Sequence, residues 1–364
     1  MKKSLIALAA LAATASFAQS TVTMSGLIDT GYVATNNPGA TADTKGLAQN
    51  GSATTVLTLA GTEDLGGGLK ANFQLQLSPD FINGSGVEGT ANTADFKKPV
   101  GTGQQAFVGL SGNFGQVKLG RVNSNALDAW GVGSVFGTAI GSGYGSAGNI
   151  YTRYSATANA TAQSAPTRFN GAVRYESPVF NGFSGSVLYV PKATDTDAQS
   201  VSDIGLRYSN GPLNVMYANQ TIKQDGSAAT SFTTGTAAAT GTVALTTGTS
   251  NKLNILSANY TIGAATVYGA YWTEKQNTAT AVDAKSYMLG AKYVMGATTL
   301  MASMGNNNDK TAANVDKKIY GLGADYALSK RTALYARYDV RDADSVSAAD
   351  DKTKRTAIGV RHTF

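Results

Sequence analysis

In the stretch "LKANFQLQLS", Leu69, Ala71, Phe73, Leu75 and Leu77 fall on one side of an extended chain and Lys70, Asn72, Gln74, Gln76 and Ser78 on the other. Successive side chains point to opposite faces only in a strand, so this alternation dictates a sheet with one apolar and one polar face. The pattern recurs. In "RFNGAVRYE", Phe169, Gly171, Val173 and Tyr175 oppose Arg168, Asn170, Ala172, Arg174 and Glu176, and similar runs occur in "DIGLRYS", "KSYMLGAKYVM", "KIYGLGADYAL" and "TALYARYDV". Helical spacing is hard to find beyond the first twenty residues, so the fold class is all-β.

Strand length and loop length then decide what the apolar face meets. Many runs reach ten residues, against about 5 to 6 in an ordinary globular sheet and about 9 to 11 for a tilted strand crossing a bilayer. Short joins lie at 63 to 68, 112 to 115, 177 to 182, 209 to 212, 262 to 264, 295 to 297 and 328 to 331. Between them run long polar segments at about 35 to 51, 79 to 103, 123 to 166, 191 to 200, 222 to 251, 276 to 284, 306 to 316 and 342 to 352. Seven short turns alternating with eight long loops predict a 16-stranded antiparallel transmembrane β-barrel, lipid outside and water within. Pro38, Pro79, Pro99, Pro166, Pro178, Pro191 and Pro212 all fall in connections or at strand ends, where no ladder N–H is lost.

The chain ends "TAIGVRHTF", with Ile358, Val360, His362 and Phe364 on one face. Pairing a last strand of roughly Lys354 to Phe364 with a first strand of roughly Thr21 to Ala34 closes the sheet and leaves no frayed end. Phe364 then joins the aromatic girdle at the short-turn interface.

Other features exclude whole classes of function. "MKKSLIALAALAATASFAQS" has Lys2 and Lys3 before a short apolar run and small residues at Ser16 and Ala18, a signal peptide over 1–18 with the barrel domain at 19–364. Leu5 to Leu11 is far too short for a membrane helix. There is no Cys and one His, so disulfides, thiolate zinc sites and most triad chemistry are excluded. The formal charge is +6, or +4 without Lys2 and Lys3, and too dispersed for nucleic acid. "GTAIGSGYG" lacks the Gly-Lys-Ser/Thr ending of a phosphate loop and reads as a flexible loop. Gly226 to Asn251 carries no charge, as an exposed fifth loop would.

The leader ending "ASFAQS", the first strand "VTMSGLIDTGY", the turn-bearing "LAGTEDLGGGLKANFQ", the pair "FVGLSGNFGQVKLGR" and the terminal Phe364 resemble the general porins of Gram-negative outer membranes, β-proteobacterial type. The resemblance implies a homotrimer of separate pores in outer-membrane lipid. It also implies a third loop folded into the lumen, a terminal aromatic read by the barrel assembly machinery, and passive diffusion of ions and small hydrophilic solutes without catalysis, cofactor or metal. Members often carry an acidic third-loop segment like "PEFGG", whereas the only acid here is Asp128. Bases that members place on the first two strands are missing at Leu27, Val56 and Ala60. Arg168 matches a wall arginine of the family.

Strand parity assigns Lys70, Lys118, Arg168, Arg174, Arg207, Lys292 and Arg337 to the polar face, with Asp29, Glu176, Asp203, Asp325 and Asp339. Arg168 and Arg174, then Lys118, are the expected constriction charges, and Lys70, Asp29 and Asp128 complete the lumen set. In a narrow passage a few such charges set ion preference, here mildly anionic. Arg121 shares the parity of Val117 and Leu119 and is expected at the rim or against a neighbouring subunit. Three alternatives stay open. Trp130, Phe136, Tyr144 and Tyr151 could form the aromatic slide of a substrate-specific channel, a plugged lumen would make a structural or adhesin barrel, and a lipase-type barrel would need a Ser-His pair near the outer rim, from which His362 is far.

Overall fold

The computed structural model describes residues 21–36, 43–82, 104–144, 168–191, 199–224, 230–233, 240–243, 249–277, 283–311, 314, 316–343 and 352–364. The leader at 1–18 and Tyr151 lie outside these residues. The chain begins with β1 (Thr21–Asn36), β2 (Thr44–Gln49), β3 (Val56–Gly66), β4 (Leu69–Leu77), β5 (Ala106–Gly112) and β6 (Gly115–Asn123), followed by the helix α1 (Asn125–Gly133). Next come β7 (Arg168–Glu176), β8 (Phe183–Val190), β9 (Gln199–Asn210), β10 (Leu213–Gln224) and a detached hairpin of β11 (Thr230–Thr233) and β12 (Thr240–Val243). The last strands are β13 (Thr249–Ile262), β14 (Ala265–Gln276), β15 (Asp283–Met295), β16 (Thr298–Asp309), β17 (Lys317–Ala327), β18 (Thr332–Ala343) and β19 (Thr353–Thr363).

Each strand pairs antiparallel with its neighbours, and β1 pairs with β19 from Leu27↔Thr363 to Asn36↔Lys354, so the sheet closes. β2 and β3 both pair with β1, over Thr30–Thr35 and Thr21–Leu27, and are two halves of one barrel strand interrupted at 50–55. The described sheet is therefore a closed 16-stranded antiparallel barrel. The seven short turns fall where the alternation places them.

Two connections differ from expectation. The predicted loop at 35–51 contains a strand, because Thr44–Gln49 continues the pairing with β1. The predicted fifth loop at 222–251 is shortened by β10, which runs to Gln224, and by β13, which starts at Thr249, with the small hairpin between them.

The two faces separate as the alternation predicts. On β15, Tyr287, Leu289 and Tyr293 are exposed while Ser286 and Met288 are buried. The large apolar residues of the outer face, Val22, Leu206, Leu322 and Ile358 among them, stay exposed at 58–68% of their surface, a contiguous apolar band that water would not tolerate. Buried polar groups, including Asp29, Arg174, Asp203, Arg337 and Asp339, line the opposite face.

Closure is completed beyond the ladder by Phe364. Its N–H donates to the Gly26 carbonyl at 3.1 Å and its carbonyl accepts from the Gly26 N–H at 3.0 Å. A Cβ on Gly26 would run into the Phe364 ring, so the glycine makes room for the terminal aromatic. His362 stacks on that ring at 6.5 Å and bonds Thr332 Oγ1 through Nδ1 at 2.9 Å, both at an exposed position. Deleting Phe364 removes two backbone bonds and a ring from the closure, so refolding into lipid or detergent should yield less heat-modifiable barrel. His362→Ala should refold as the parent does, and parental yield from the Phe364 deletion would contradict this role.

Candidate functional site: a cation-lined cavity beneath the third loop

The segment after β6 is helical, which the strand-directed reading of the sequence missed. Ser124 caps α1 by accepting the Leu127 N–H at 3.0 Å, and Asp128 sits in the first turn where the helix dipole favours an acid. The signal was present as "SNALDAW", an N-cap serine followed by an acid within the first turn.

α1 lies on the polar face of β8 to β15, and that face is not polar beneath it. Met216, Ala218, Leu253, Ile255, Ala270, Trp272 and Met288 are buried there against Ala126, Ala129, Trp130 and Val132. The Trp130 ring meets Trp272 edge-on at 5.6 Å, and its Nε1 donates to the Gly137 carbonyl at 2.8 Å. Asn125 N–H donates to Asp203 Oδ2 at 2.7 Å, and Asn259 Nδ2 donates to the Val132 carbonyl at 2.9 Å. These contacts fix the start of the segment.

Its far end is fixed on the opposite part of the sheet. Gly141 N–H donates to Asp339 Oδ2 at 2.8 Å, the Ser303 hydroxyl donates to the Gly141 carbonyl at 2.6 Å, and Ile140 N–H reaches the Gly51 carbonyl at 3.4 Å. Gly51 belongs to the 50–55 interruption. Asp29 holds that interruption by accepting from the Ser52 N–H at 2.6 Å, the Ala53 N–H at 2.5 Å and the Tyr335 hydroxyl at 2.5 Å. Arg337 pairs with Asp325 at 2.7 Å and donates to Ser52 Oγ at 2.8 Å, while Arg361 reaches the same carboxylate at 3.3 Å. Arg355 pairs with Asp339. Three arginines thus meet three aspartates, a balanced cluster whose effect is positional.

On the other side of α1 the balance is different. A cavity of about 760 Å³ is lined by Lys118, Arg168, Arg174 and Arg207, opposed by Asp128 and Glu176 alone. Arg174 bonds Asp128 Oδ2 at 2.6 Å and Glu176 Oε1 at 2.9 Å, and Lys118 bonds Glu176 Oε2 at 2.8 Å. Two cations of the lining, Arg168 and Arg207, have no ion pair among the described residues. Arg168 buries its Nε without a hydrogen-bond partner, and Arg207 donates its Nε to the neutral Asn214. Tyr144 is half-buried near Arg168 and Arg121. Burial raises its phenol above the ordinary value, and the two cations oppose that rise.

The structure brings Lys118, Arg168, Arg174 and Asp128 to one cavity and separates the other two lumen candidates from them. Asp29 belongs to the balanced cluster. Lys70 is exposed opposite Ser111 near a short turn.

The simple alternation assigned to 168–176 fails at its start. Gly120 pairs with Ala172 but Val122 pairs with Phe169, a bulge centred on Gly171 at φ +59°, where a side chain would be strained. Phe169 therefore turns to the buried face with Val122, and Asn170 to the exposed one. Arg121, expected to face a neighbour or the rim, is half-buried and donates to the Gln104 carbonyl at 3.0 Å and to Asn170 Oδ1 at 2.7 Å. Two of the aromatics considered for a solute slide are packing groups. Trp130 is fully buried, and Phe136, 6% exposed, lies under the Arg337 guanidinium at 5.7 Å.

With this geometry in hand, the chain belongs to the Gram-negative porin family, which matches residues 5–345. Outer membrane porin protein 32 of Delftia acidovorans is 40% identical over 222 residues, 58% of each chain, and the major outer membrane protein P.IB of Neisseria gonorrhoeae is 34% identical over 229 residues, 60% of this chain and 56% of its own. These alignments thus span little more than half of either relative. An anion-selective porin from Comamonas acidovorans superposes over 95% of this chain and 100% of its own, with a TM-score of 0.76 and 26% identity. OmpT of Vibrio cholerae in its trimer form shares the fold at a TM-score of 0.66 and 17% identity.

The packing around α1 makes a direct forecast. Trp130→Ala removes a fully buried ring, a change that costs about 3–5 kcal/mol in a well-packed site. Limited proteolysis of the folded barrel should then cut within 124–144 where the parent resists. Equal resistance would mean that the segment is not held by this packing.

Proposed function

We propose that this chain is a diffusion porin of the outer membrane that passes ions and small hydrophilic solutes with a mild preference for anions. The leader at 1–18 directs export, three copies assemble as a homotrimer, and Phe364 is the residue that the barrel assembly machinery reads. The polar face encloses the lumen, and the segment 124–144 narrows it from one side. No bond is made or broken. Selection is by size and by the field of the wall.

The observation that carries the reading is the excess of cations in the cavity beside α1, four against two. Asp128 and Glu176 engage Arg174 and Lys118, which leaves Arg168 and Arg207 to set the sign of the potential. In a water-filled passage between low-dielectric walls that field is focused on a passing ion. The name of the Comamonas acidovorans relative, an anion-selective porin, supports the same sign. A substrate-specific channel is the weaker reading, because Trp130 and Phe136 are buried in packing.

Replacing Arg168 and Arg174 together by Ala leaves Asp128 and Glu176 facing Lys118 and Arg207, so the excess of positive charge disappears. In a KCl gradient across a planar bilayer the reversal potential should move toward cation preference. The shift should be largest near 0.01 M salt, where the Debye length is about 30 Å, and should shrink as salt rises. A double variant that folds and keeps the parental reversal potential at low salt would remove these arginines from the permeation path.

A further inference from the structure

We propose that Lys292 and Arg207 form a second anion station on the short-turn side of α1, and that this station makes the pore rectify, passing anions more readily from that side than from the other. On the inward face of β8 to β15 the described charges are Asp203, Arg207, Glu274 and Lys292, while Lys223, Lys252, Lys275, Asp283 and Lys285 alternate onto the outward face. α1 divides the four by sign. On β9 the helix meets Asp203 and Gly205, since Asn125 N–H donates to Asp203 Oδ2 and a Cβ on Gly205 would run into the Asn125 side chain. Arg207 is the next inward position toward the short turn. On β15 the buried Met288 packs in the cluster under α1 and Gly290 leaves room for Val135, and Lys292 is again the next inward position toward the short turn. Glu274, on β14, follows Trp272 on the inward face in the opposite direction. Both acids thus lie toward the long connections and both bases toward the short turns.

Neither base has an ion pair among the described residues. Lys292 Nζ lies 5.9 Å above the Tyr268 ring, and Arg207 donates its Nε to Asn214 Oδ1 at 2.9 Å, so each head rests on a neutral group of the wall. The wall around them is free of acids, because 204–216, 254–273 and 284–301 contain no Asp or Glu. Glu176 and Asp325 flank this sector, and each is engaged by two bases of its own, Arg174 with Lys118 and Arg337 with Arg361. Asp203 and Glu274 are 0% and 1% exposed, whereas Arg207 is exposed and Lys292 half-buried. The charge of this sector that meets water is therefore positive and sits at one end.

A fixed charge at one end of a narrow passage gathers counter-ions at that end. Ions driven inward from the enriched end keep the passage filled, while ions driven from the other end arrive from a solution that no fixed charge has concentrated. With Lys292 and Arg207 on the short-turn side, the low-salt current is larger when the voltage drives anions in from that side. The charges beside Asp128 set which sign of ion is preferred, and Lys292 adds a direction to that preference. The inference rests on the reading of this chain as an anion-preferring pore.

Recording across a planar bilayer in symmetric KCl tests it, with the ratio of currents at equal and opposite voltages as the readout. Lys330→Cys, in the short turn at 328 to 331, supplies the only thiol of the chain. After its biotinylation, streptavidin added to one chamber reports which chamber the short turns face. In that background at 0.01 M salt the current should be about twofold larger at the polarity that drives anions in from the short-turn side, and the ratio should fall to about one at 1 M, where the Debye length is ~3 Å. Lys292→Gln should bring the low-salt ratio close to one, and Lys292→Arg should keep it. Arg207→Gln, which should lower the ratio as well, serves if Lys292→Gln does not fold. A larger current at the opposite polarity, or an unaltered ratio in Lys292→Gln, would overturn the proposal. Anion preference with equal currents at both polarities in 0.01 M salt would remove the station alone, whereas a parent without conductance would remove the diffusion-pore reading and the station with it.

Discussion

In hydrocarbon an unpaired backbone N–H or C=O costs several kcal/mol, and a sheet escapes that cost only by closing on itself. The pairing of β1 with β19, extended by the two bonds between Gly26 and Phe364, is therefore the interaction on which the rest of the molecule depends. It accounts for the even strand number. Gly26 contributes by leaving space for the Phe364 ring.

Closure leaves an inner wall of roughly uniform polarity, and the structure departs from that wall in two places. Between β10 and β15 the inward face carries an apolar patch, and α1 covers it with Trp130 against Trp272. At 50–55 the second barrel strand breaks, and Asp29, Tyr335 and Ser52 hold the break where it meets Ile140. One site anchors the start of the segment 124–144 and the other its part near Gly141. The charges near Gly141 are balanced, while those beside α1 are not.

Much of this was legible in the sequence. Period-two alternation located the strands and the short turns, because lipid imposes a strict two-faced pattern on every crossing strand. Parity put Arg174 and Lys118 on the polar face, while Asp128 stood out only as the one acid of the stretch 125–166. What parity could not carry was any position where the register slips. The bulge at Gly171 reverses the faces of Phe169 and Asn170, and the break after Gln49 begins at Asn50 with φ +69°. α1 was hidden for a related reason. Its partners Leu253, Ile255 and Trp272 are apolar on the inward face, where alternation alone does not tell a lipid-facing side from one covered by a helix.

Whether the segment 124–144 narrows the lumen is the central claim. Its most direct test is the single-channel conductance of a barrel in which Asn125–Tyr144 is replaced by a short Gly-Ser linker. The account predicts folded barrels whose conductance rises clearly above the parental value, since the segment bridges opposite parts of the inner wall through Asp203 and Asp339. A folded variant with parental conductance would mean that the segment does not narrow the passage, and would contradict the account.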